Sequence, residues 1–405
     1  MASPLAPALR NAADRAPLVQ VLGAGPTGAL AALAMADAGW RVIVSDPATE
    51  AQLSDRSRAY ALTHSSRLLL QRLKLWQALQ PCLCPFDQLH LHDQATGASL
   101  SFSPSDLPRD ARRDGPQPVG WIVRHHDLMA LLLMRLHLHP GIDGRIGERA
   151  SVSGSPAESP DLVLAADGPG SPARAALGIG QWRLSYRQAC LTAQVTLRDL
   201  EAGEVGAAWE LLRPEGPFAV LPLEPGKAQL VWSAPASRNQ RRQELEPTAF
   251  LEQLAAVLPP ALEVDGLLDQ PRSFPVGLSL AHRLHRGRTL LVGESAHRCH
   301  PVGGQGLNLC WRDVAVLHRL AGLVRSGAIR LESLPRRYAR SRWPDLLLTL
   351  LATDLLVRLF SNRTPLLLPL RWLALSLLAR FQGLRSLCLG VMSAGPGQPL
   401  RTSPQ

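Results

Sequence analysis

The sequence predicts an α/β protein: a Rossmann-like dinucleotide-binding domain, a β-rich second domain and a helical C-terminal region. Three observations carry this. A short apolar run, Leu18-Val19-Gln20-Val21-Leu22, leads into Gly23-Ala24-Gly25-Pro26-Thr27-Gly28 and then an Ala-rich segment. Residues 181–275 break into short apolar or alternating runs separated by Pro and Gly. Residues 332–395 are dense in leucine.

Each element has its own signal. Residues 1–16 are rich in Ala, Pro and Arg and read as a loose tail. Leu18–Leu22 reads as a buried parallel strand, because such strands are apolar on both faces. The Ala-rich segment 29–38 is a strong helix former, and Gly39 stops it. Arg41-Val42-Ile43-Val44-Ser45-Asp46 is the next strand and ends in an acid, which completes a β-α-β unit. Residues 64–80 and 124–139 carry leucines at helical spacing, and the Ser/Pro/Gly-rich stretch 151–160 reads as a loop. Phe218–Leu223 and Gln229–Ser233 are typical of the short strands expected within 181–275. Thr289-Leu290-Leu291-Val292 is a further buried strand, followed by a glycine-rich loop and a helix near 307–322.

Composition narrows the class. The chain has 405 residues, 46% hydrophobic and 19% charged, enough to bury a sizeable core and too apolar for general disorder. No run of 18 apolar residues is free of charge, and residues 1–20 lack a signal-peptide core. Six cysteines without zinc-site spacing point to a reduced, intracellular setting and to no metal. The formal net charge is +10, and Lys74 and Lys227 are the only lysines. The arginines are dispersed and no nucleic-acid motif appears, so nucleic acid is not expected as a partner. Beyond Asp354 there is no acid, only Arg358, Arg363, Arg371, Arg380, Arg385 and Arg401 among abundant leucines. That mixture suits a helical region lying on a membrane, and equally a helical layer packed on the dinucleotide domain.

The glycine motif sits between strand and helix, which is the context it needs. Glycine allows a tight turn and a close approach to a pyrophosphate, the helix N-terminus offers free N–H groups, and Asp46 can accept hydrogen bonds from a ribose. Two further segments add specificity. One is Asp161-Leu162-Val163-Leu164-Ala165-Ala166-Asp167-Gly168-Pro169-Gly170-Ser171 with Arg174. The other runs Val292-Gly293-Glu294-Ser295-Ala296-His297, then Pro301-Val302-Gly303-Gly304-Gln305-Gly306-Leu307-Asn308-Leu309 and Asp313.

With these segments the chain resembles the flavin-dependent aromatic hydroxylases of the para-hydroxybenzoate hydroxylase fold, and within them the ubiquinone-biosynthesis (Ubi/VisC-type) hydroxylases. The resemblance runs from about residue 18 to about 395 and implies FAD as cofactor. It implies that Gly23, Gly25 and Gly28 hold the pyrophosphate and Asp46 the adenosine ribose. Asp167 and Gly168 would serve FAD and NAD(P)H together, and Gly293 with Glu294 would meet the ribityl chain. Pro301, Gly303, Gly304, Gln305, Gly306, Leu307 and Asn308 would line the isoalloxazine, with Arg58 nearby. The run Ala352–Asn362 matches the ubiquinone subfamily. Two departures stand out: Glu294 replaces the usual aspartate, and residues 140–160 are short for the family's hairpin. The slot of a flavin-contacting residue falls at His125, beside Arg124, and neither is assigned.

The implied activity is NAD(P)H- and O2-dependent hydroxylation of a polyprenylated phenol in quinone biosynthesis. The protein would be cytoplasmic, peripheral on the membrane through 345–395, and a possible member of a quinone-biosynthesis complex. Alternatives are a flavin-dependent reductase or oxidase on the same fold, or an inactive scaffold. The expected division is 17–75, 121–180 and 276–340 for the FAD domain, and 76–120 with 181–275 for the substrate domain. Residues 341–395 form the helical region and 396–405 a tail. His297 and His300 are read as loop residues rather than metal ligands, and His90, His92, His125, His126, His137 and His139 as surface or loop histidines. No Ser/His/Asp nucleophile motif appears, so no general acid or base is named.

Overall fold

The computed structural model describes residues 16–108, 111, 115, 117–149, 159–199 and 206–395. Residues 1–15 of the expected tail 1–16, the expected tail 396–405 with Arg401, and most of the loop 151–160 lie outside the described residues. The dinucleotide domain is built on a six-stranded sheet in the order His285–Arg286, Thr289–Leu291, Leu162–Ala165, Leu18–Leu22, Arg41–Asp46, Ile142–Ile146. All pairs but the first are parallel. Val19, Val21, Val42, Val44 and Leu164 share one fully buried face of this sheet, while Gln20, Leu22 and Ile43 on the other face are partly buried. The helix Pro26–Asp37 is buried over most of its length between His125–Leu138 and Gln305–Arg325. Its alanines allow close approach on several sides, and Leu30, Leu33 and Met35 fill the wider gaps.

The second sheet has nine strands. Its path is His297–Arg298, Arg272–Ala281, Gln181–Asp199, Lys227–Pro235, Phe218–Glu224, Ala208–Leu212, Leu89–Asp93 and Ser99–Phe102, with Leu262–Leu267 paired to Gln181–Asp199. One face packs Trp232 and Phe218 against Phe250 and Leu254 of the helix Pro247–Ala255. The other face looks toward the glycine-rich loop and the C-terminal helices, with Phe102, Ala208, Leu212, Phe360, Leu375 and Leu389 in one cluster. A three-stranded antiparallel sheet, Ala59–Leu62, Gly120–Arg124 and Leu83–Phe86, lies between the two.

Two elements differ from the sequence reading. Gln181–Asp199 is a single strand of 19 residues rather than several short runs. A register shift between Ser185 and Ala189, with Arg187 at φ 54°, bends it without ending it. The helix expected at 64–80 stops at Arg72, and Lys74 at φ 57° turns the chain before Trp76–Leu79. The C-terminal region is three helices, Leu334–Phe360 with Pro344 inside, Leu368–Arg380 and Gln382–Ala394. Among the described residues no helix is long and apolar enough to cross a membrane.

Candidate active site

The first turn is sterically exclusive. Gly23 has φ 98°, and a Cβ there would lie 2.4 Å from the Ala166 carbonyl oxygen. At Gly28 it would lie 1.9 Å from the Gly23 carbonyl oxygen, so the turn closes on the helix only without side chains. Gly25 is different: it caps the helix Pro26–Asp37, and a Cβ there would meet nothing within 4 Å. This is open space in front of first-turn amides, as an anion requires. Asp46 ends the neighbouring strand and steadies the turn, accepting from the Ala24 N–H at 2.7 Å and the Ala48 N–H at 2.8 Å. It remains half-buried, and each of its oxygens keeps a lone pair for a ribose hydroxyl.

The second and third segments are clamped together. Asp167 accepts from Ser171 Oγ at 2.5 Å and from the Ala173 N–H at 2.9 Å, so it caps the short helix Pro172–Ala176. Gly168, at φ 84°, faces open space. Arg174 is buried and donates to the Ser295 carbonyl at 2.6 Å and the Pro169 carbonyl at 3.1 Å. Gly293 has φ 66°, and a Cβ would sit 2.8 Å from Thr27 Cγ2, so the third segment abuts the first helix. Glu294 next to it is exposed. The extra methylene relative to aspartate therefore meets no packing barrier.

The glycine-rich loop turns at Gly303 (φ 68°) and Gly304 (φ 63°) and opens the helix Gln305–Arg325. Gly306 is exposed, Pro301 and Leu307 are half-buried, and Val302 is buried. Two of the residues expected at the ring also tether the loop. Gln305 Nε2 donates to the Gly303 carbonyl at 3.2 Å and to Met392, in the last helix, at 3.3 Å. Asn308 is fully buried: its Oδ1 accepts from Thr63 N, Thr63 Oγ1 and Ser66 Oγ, and its Nδ2 donates to the Ala61 and Gly304 carbonyls. Its amide therefore holds the loop to the strand Ala59–Leu62. Arg58 stacks its guanidinium 4.1 Å from the centre of the Phe274 ring, between the two large sheets.

Several pairings around these segments escaped sequence reasoning. Asp313 receives the Gly293 N–H at 2.8 Å, pairs with His297 Nε2 at 2.8 Å and with Arg342 Nε at 2.5 Å, and is fully buried. Burial alone would raise its carboxyl, but His297 and Arg342 outweigh that and bring it down to about 2. Arg342 also pairs with Asp345, which pairs with Arg312 at 3.0 Å. His125, expected at the surface or in a loop, is instead fully buried: Nε2 donates to the Leu53 carbonyl at 2.7 Å and Nδ1 accepts from the Tyr60 hydroxyl at 2.8 Å. Burial pushes the imidazole down to about 4 and the Tyr60 hydroxyl up to about 12, so both are neutral at pH 7. His90 and His92 lie in the strand Leu89–Asp93. Arg124 points away to Asp127 and Glu224. His300 faces Gln188 at 3.3 Å. Glu210, from the strand Ala208–Leu212, faces the Gly303 N–H, and burial raises its carboxyl to about 7 against that hydrogen bond.

The open faces of Gly25, Gly168 and Gly306, with two helix N-termini beside them, fit an elongated dinucleotide bearing a flat ring. Comparison with known proteins agrees. Residues 148–343 match the family profile of the FAD binding domain. The chain is 31% identical to the ubiquinone hydroxylase UbiL of Rhodospirillum rubrum, over 96% of this chain and 93% of that one. It is 28% identical to the 3-demethoxyubiquinol 3-hydroxylase of Escherichia coli, over 88% and 92%. Among solved structures it superposes on p-nitrophenol 4-monooxygenase PnpA of Pseudomonas putida with a TM-score of 0.75, at 20% identity, covering 94% of this chain and 99% of that one.

Proposed function

This chain belongs to the FAD-dependent hydroxylase family that includes the ubiquinone hydroxylases, and from that premise we propose that it hydroxylates the ring of a polyprenylated phenol in ubiquinone biosynthesis, with NAD(P)H and O2. The observation that carries the reading is the convergence of three glycine turns, at Gly23–Gly28, Gly293 and Gly303–Gly304, with Thr27 packed against Gly293. When bound, FAD supplies the redox chemistry, taking electrons from NAD(P)H and activating O2 for attack on an electron-rich ring.

The chain's own residues bind and orient. Gly25 and the first-turn amides of Pro26–Asp37 would hold the pyrophosphate, and Asp46 a ribose. Gly293 and Glu294 would flank the ribityl chain. The N–H groups opening Gln305–Arg325, with the helix dipole behind them, would stabilise negative charge on the reduced ring's pyrimidine edge. Pro301 and buried Val302 would keep water from the reacting face. Arg58 would stay near the ring, held by Phe274. The test is purification of the full chain: a yellow protein whose NAD(P)H oxidation rises with an added prenylphenol and consumes O2 supports the reading. A colourless protein that rejects added FAD refutes it.

The reading extends to an anionic bilayer surface as the place of work. Leu351, Leu355, Leu366, Leu370, Trp372 and Leu387 are exposed on the C-terminal helices, beside exposed Arg363 and Arg380. Apolar surface with positive charge and no acid after Asp354 matches an anionic lipid surface. Replacing Leu351, Leu355, Leu366 and Leu370 by serine should abolish co-sedimentation with phosphatidylglycerol vesicles while FAD binding persists. Unchanged sedimentation refutes the membrane reading.

A further inference from the structure

We propose that Glu210 is a catalytic residue: its carboxylate takes the phenolic proton of the aromatic substrate on the sheet face that looks toward the glycine-rich loop. This rests on the hydroxylase reading above. Glu210 pairs with Ala219, Ala219 with Val231, and Val231 with Thr192, one row across four strands. Neighbouring positions on the same strands, Leu211, Val220, Leu230 and Leu191, point into the Trp232 core. The row therefore faces the other way.

Both ends of the row touch the flavin-binding half. Thr192 Oγ1 donates to the Ser57 carbonyl at 3.3 Å, one residue before Arg58, and Glu210 lies against the Gly303 N–H. Between them stand only Ala219 and Val231, a floor of small apolar side chains about three strand spacings, roughly 14 Å, end to end. A single aromatic ring fits on it, with its hydroxyl at Glu210. Glu210, Val231 and Leu221 keep part of their surface open although their strands are central, as the lining of an internal opening does.

The chemistry needs such a group. Attack on the ring is favoured when the substrate is a phenolate. The phenol O–H bond breaks, its proton goes to the Glu210 carboxylate, and the electron pair stays on the phenolic oxygen and is shared with the ring. Once the ring carbon has gained oxygen and released its hydrogen as a proton, the proton on Glu210 returns to the phenolic oxygen. Oxygen comes from O2 and electrons from NAD(P)H. A carboxyl raised to about 7 by burial is matched to proton transfer near neutral pH. The groups facing it are the Gly303 N–H from the loop and Cys190 from the strand Gln181–Asp199, with Arg58 acting on Cys190 in turn.

The test compares wild type with Glu210→Gln and Glu210→Asp as FAD-loaded full chains, using 2-prenylphenol in detergent as probe. E210Q should keep the flavin absorbance, lose about 100-fold in kcat for hydroxylation and lose the low-pH limb of the wild-type kcat profile. E210D should retain that limb. Independently of turnover, infrared difference spectra should show a carboxylic C=O band appearing as pH falls through about 7 in wild type and missing in E210Q. E210Q hydroxylating within about twofold of wild type, with the limb unchanged, overturns the assignment. A wild type that binds FAD and shows the infrared band, yet gives no phenol-stimulated O2 uptake, overturns the hydroxylase reading and this role with it.

Discussion

A methyl group at Gly28 would meet the Gly23 carbonyl oxygen at 1.9 Å, and that oxygen belongs to the turn itself. Gly28→Ala must therefore push the turn out of shape. A misplacement of about 1 Å weakens a positioned site on the order of 100-fold, so the variant should purify without bound flavin, read as the ratio of flavin to protein absorbance. Asp313 and Glu210 are both deep carboxyls with opposite pH behaviour. Asp313 titrates at about 2 in the folded chain, below its ordinary 3.8, so its stabilisation is full above that ordinary value and is lost as pH falls toward 2. Asp313→Asn leaves Arg342 buried with half its pairing and should cost about 3–5 kcal/mol in urea unfolding at pH 7. Glu210 titrates at about 7 against an ordinary 4.5, so the folded chain holds the extra proton between those values and gains stability as pH falls. E210Q should flatten that gain in melting curves between pH 8 and 5, while a gain that persists in E210Q belongs to other groups.

The loop that opens Gln305–Arg325 is held to the strand Ala59–Leu62 by the Asn308 amide. Asn308→Ala removes five hydrogen bonds and leaves the Ala61 carbonyl without its 2.7 Å donor. Each buried group left unpaired costs about 1–3 kcal/mol, so Asn308→Ala should lower stability by roughly that amount and weaken FAD binding in a fluorescence titration. What was legible in the sequence follows from range. Leu18–Leu22 and Arg41–Asp46 have the bounds expected, because β-branched residues ending in glycine or acid are local signals. Gln181–Asp199 was not, because its bend at 185–189 looks like an end unless both partner strands are known. Asn308 was quoted through a family motif, but its role as a tether depends on residues more than 240 positions away. Pairings 65 and 29 positions apart likewise hide His125 with Tyr60, and Asp313 with Arg342. Glu210 left a visible trace, a lone acid inside the apolar run Ala207–Leu212.

Across the whole molecule, the C-terminal helices belong to the core as much as to the surface. Asp345 and Thr349 are buried beside Arg312 and Arg342, and Phe360, Leu375 and Leu389 pack on the second sheet. Deleting 345–405 would take Asp345 away from Arg312 and Arg342 and expose that sheet, so loss of membrane binding in such a truncation would report misfolding; surface substitutions separate the two. The same packing links the membrane-facing helices to the flavin loop through Gln305 and Met392. The second sheet, through Glu210, and the last helix, through Met392, thus both reach the glycine-rich loop. The most direct test supplies the FAD-loaded full chain with NAD(P)H, 2-prenylphenol and isotopically labelled O2, and weighs the product. One labelled oxygen atom per product molecule, tracking NAD(P)H consumed, is the result expected. Bound FAD and NAD(P)H oxidation that yield only peroxide and unchanged phenol would contradict it.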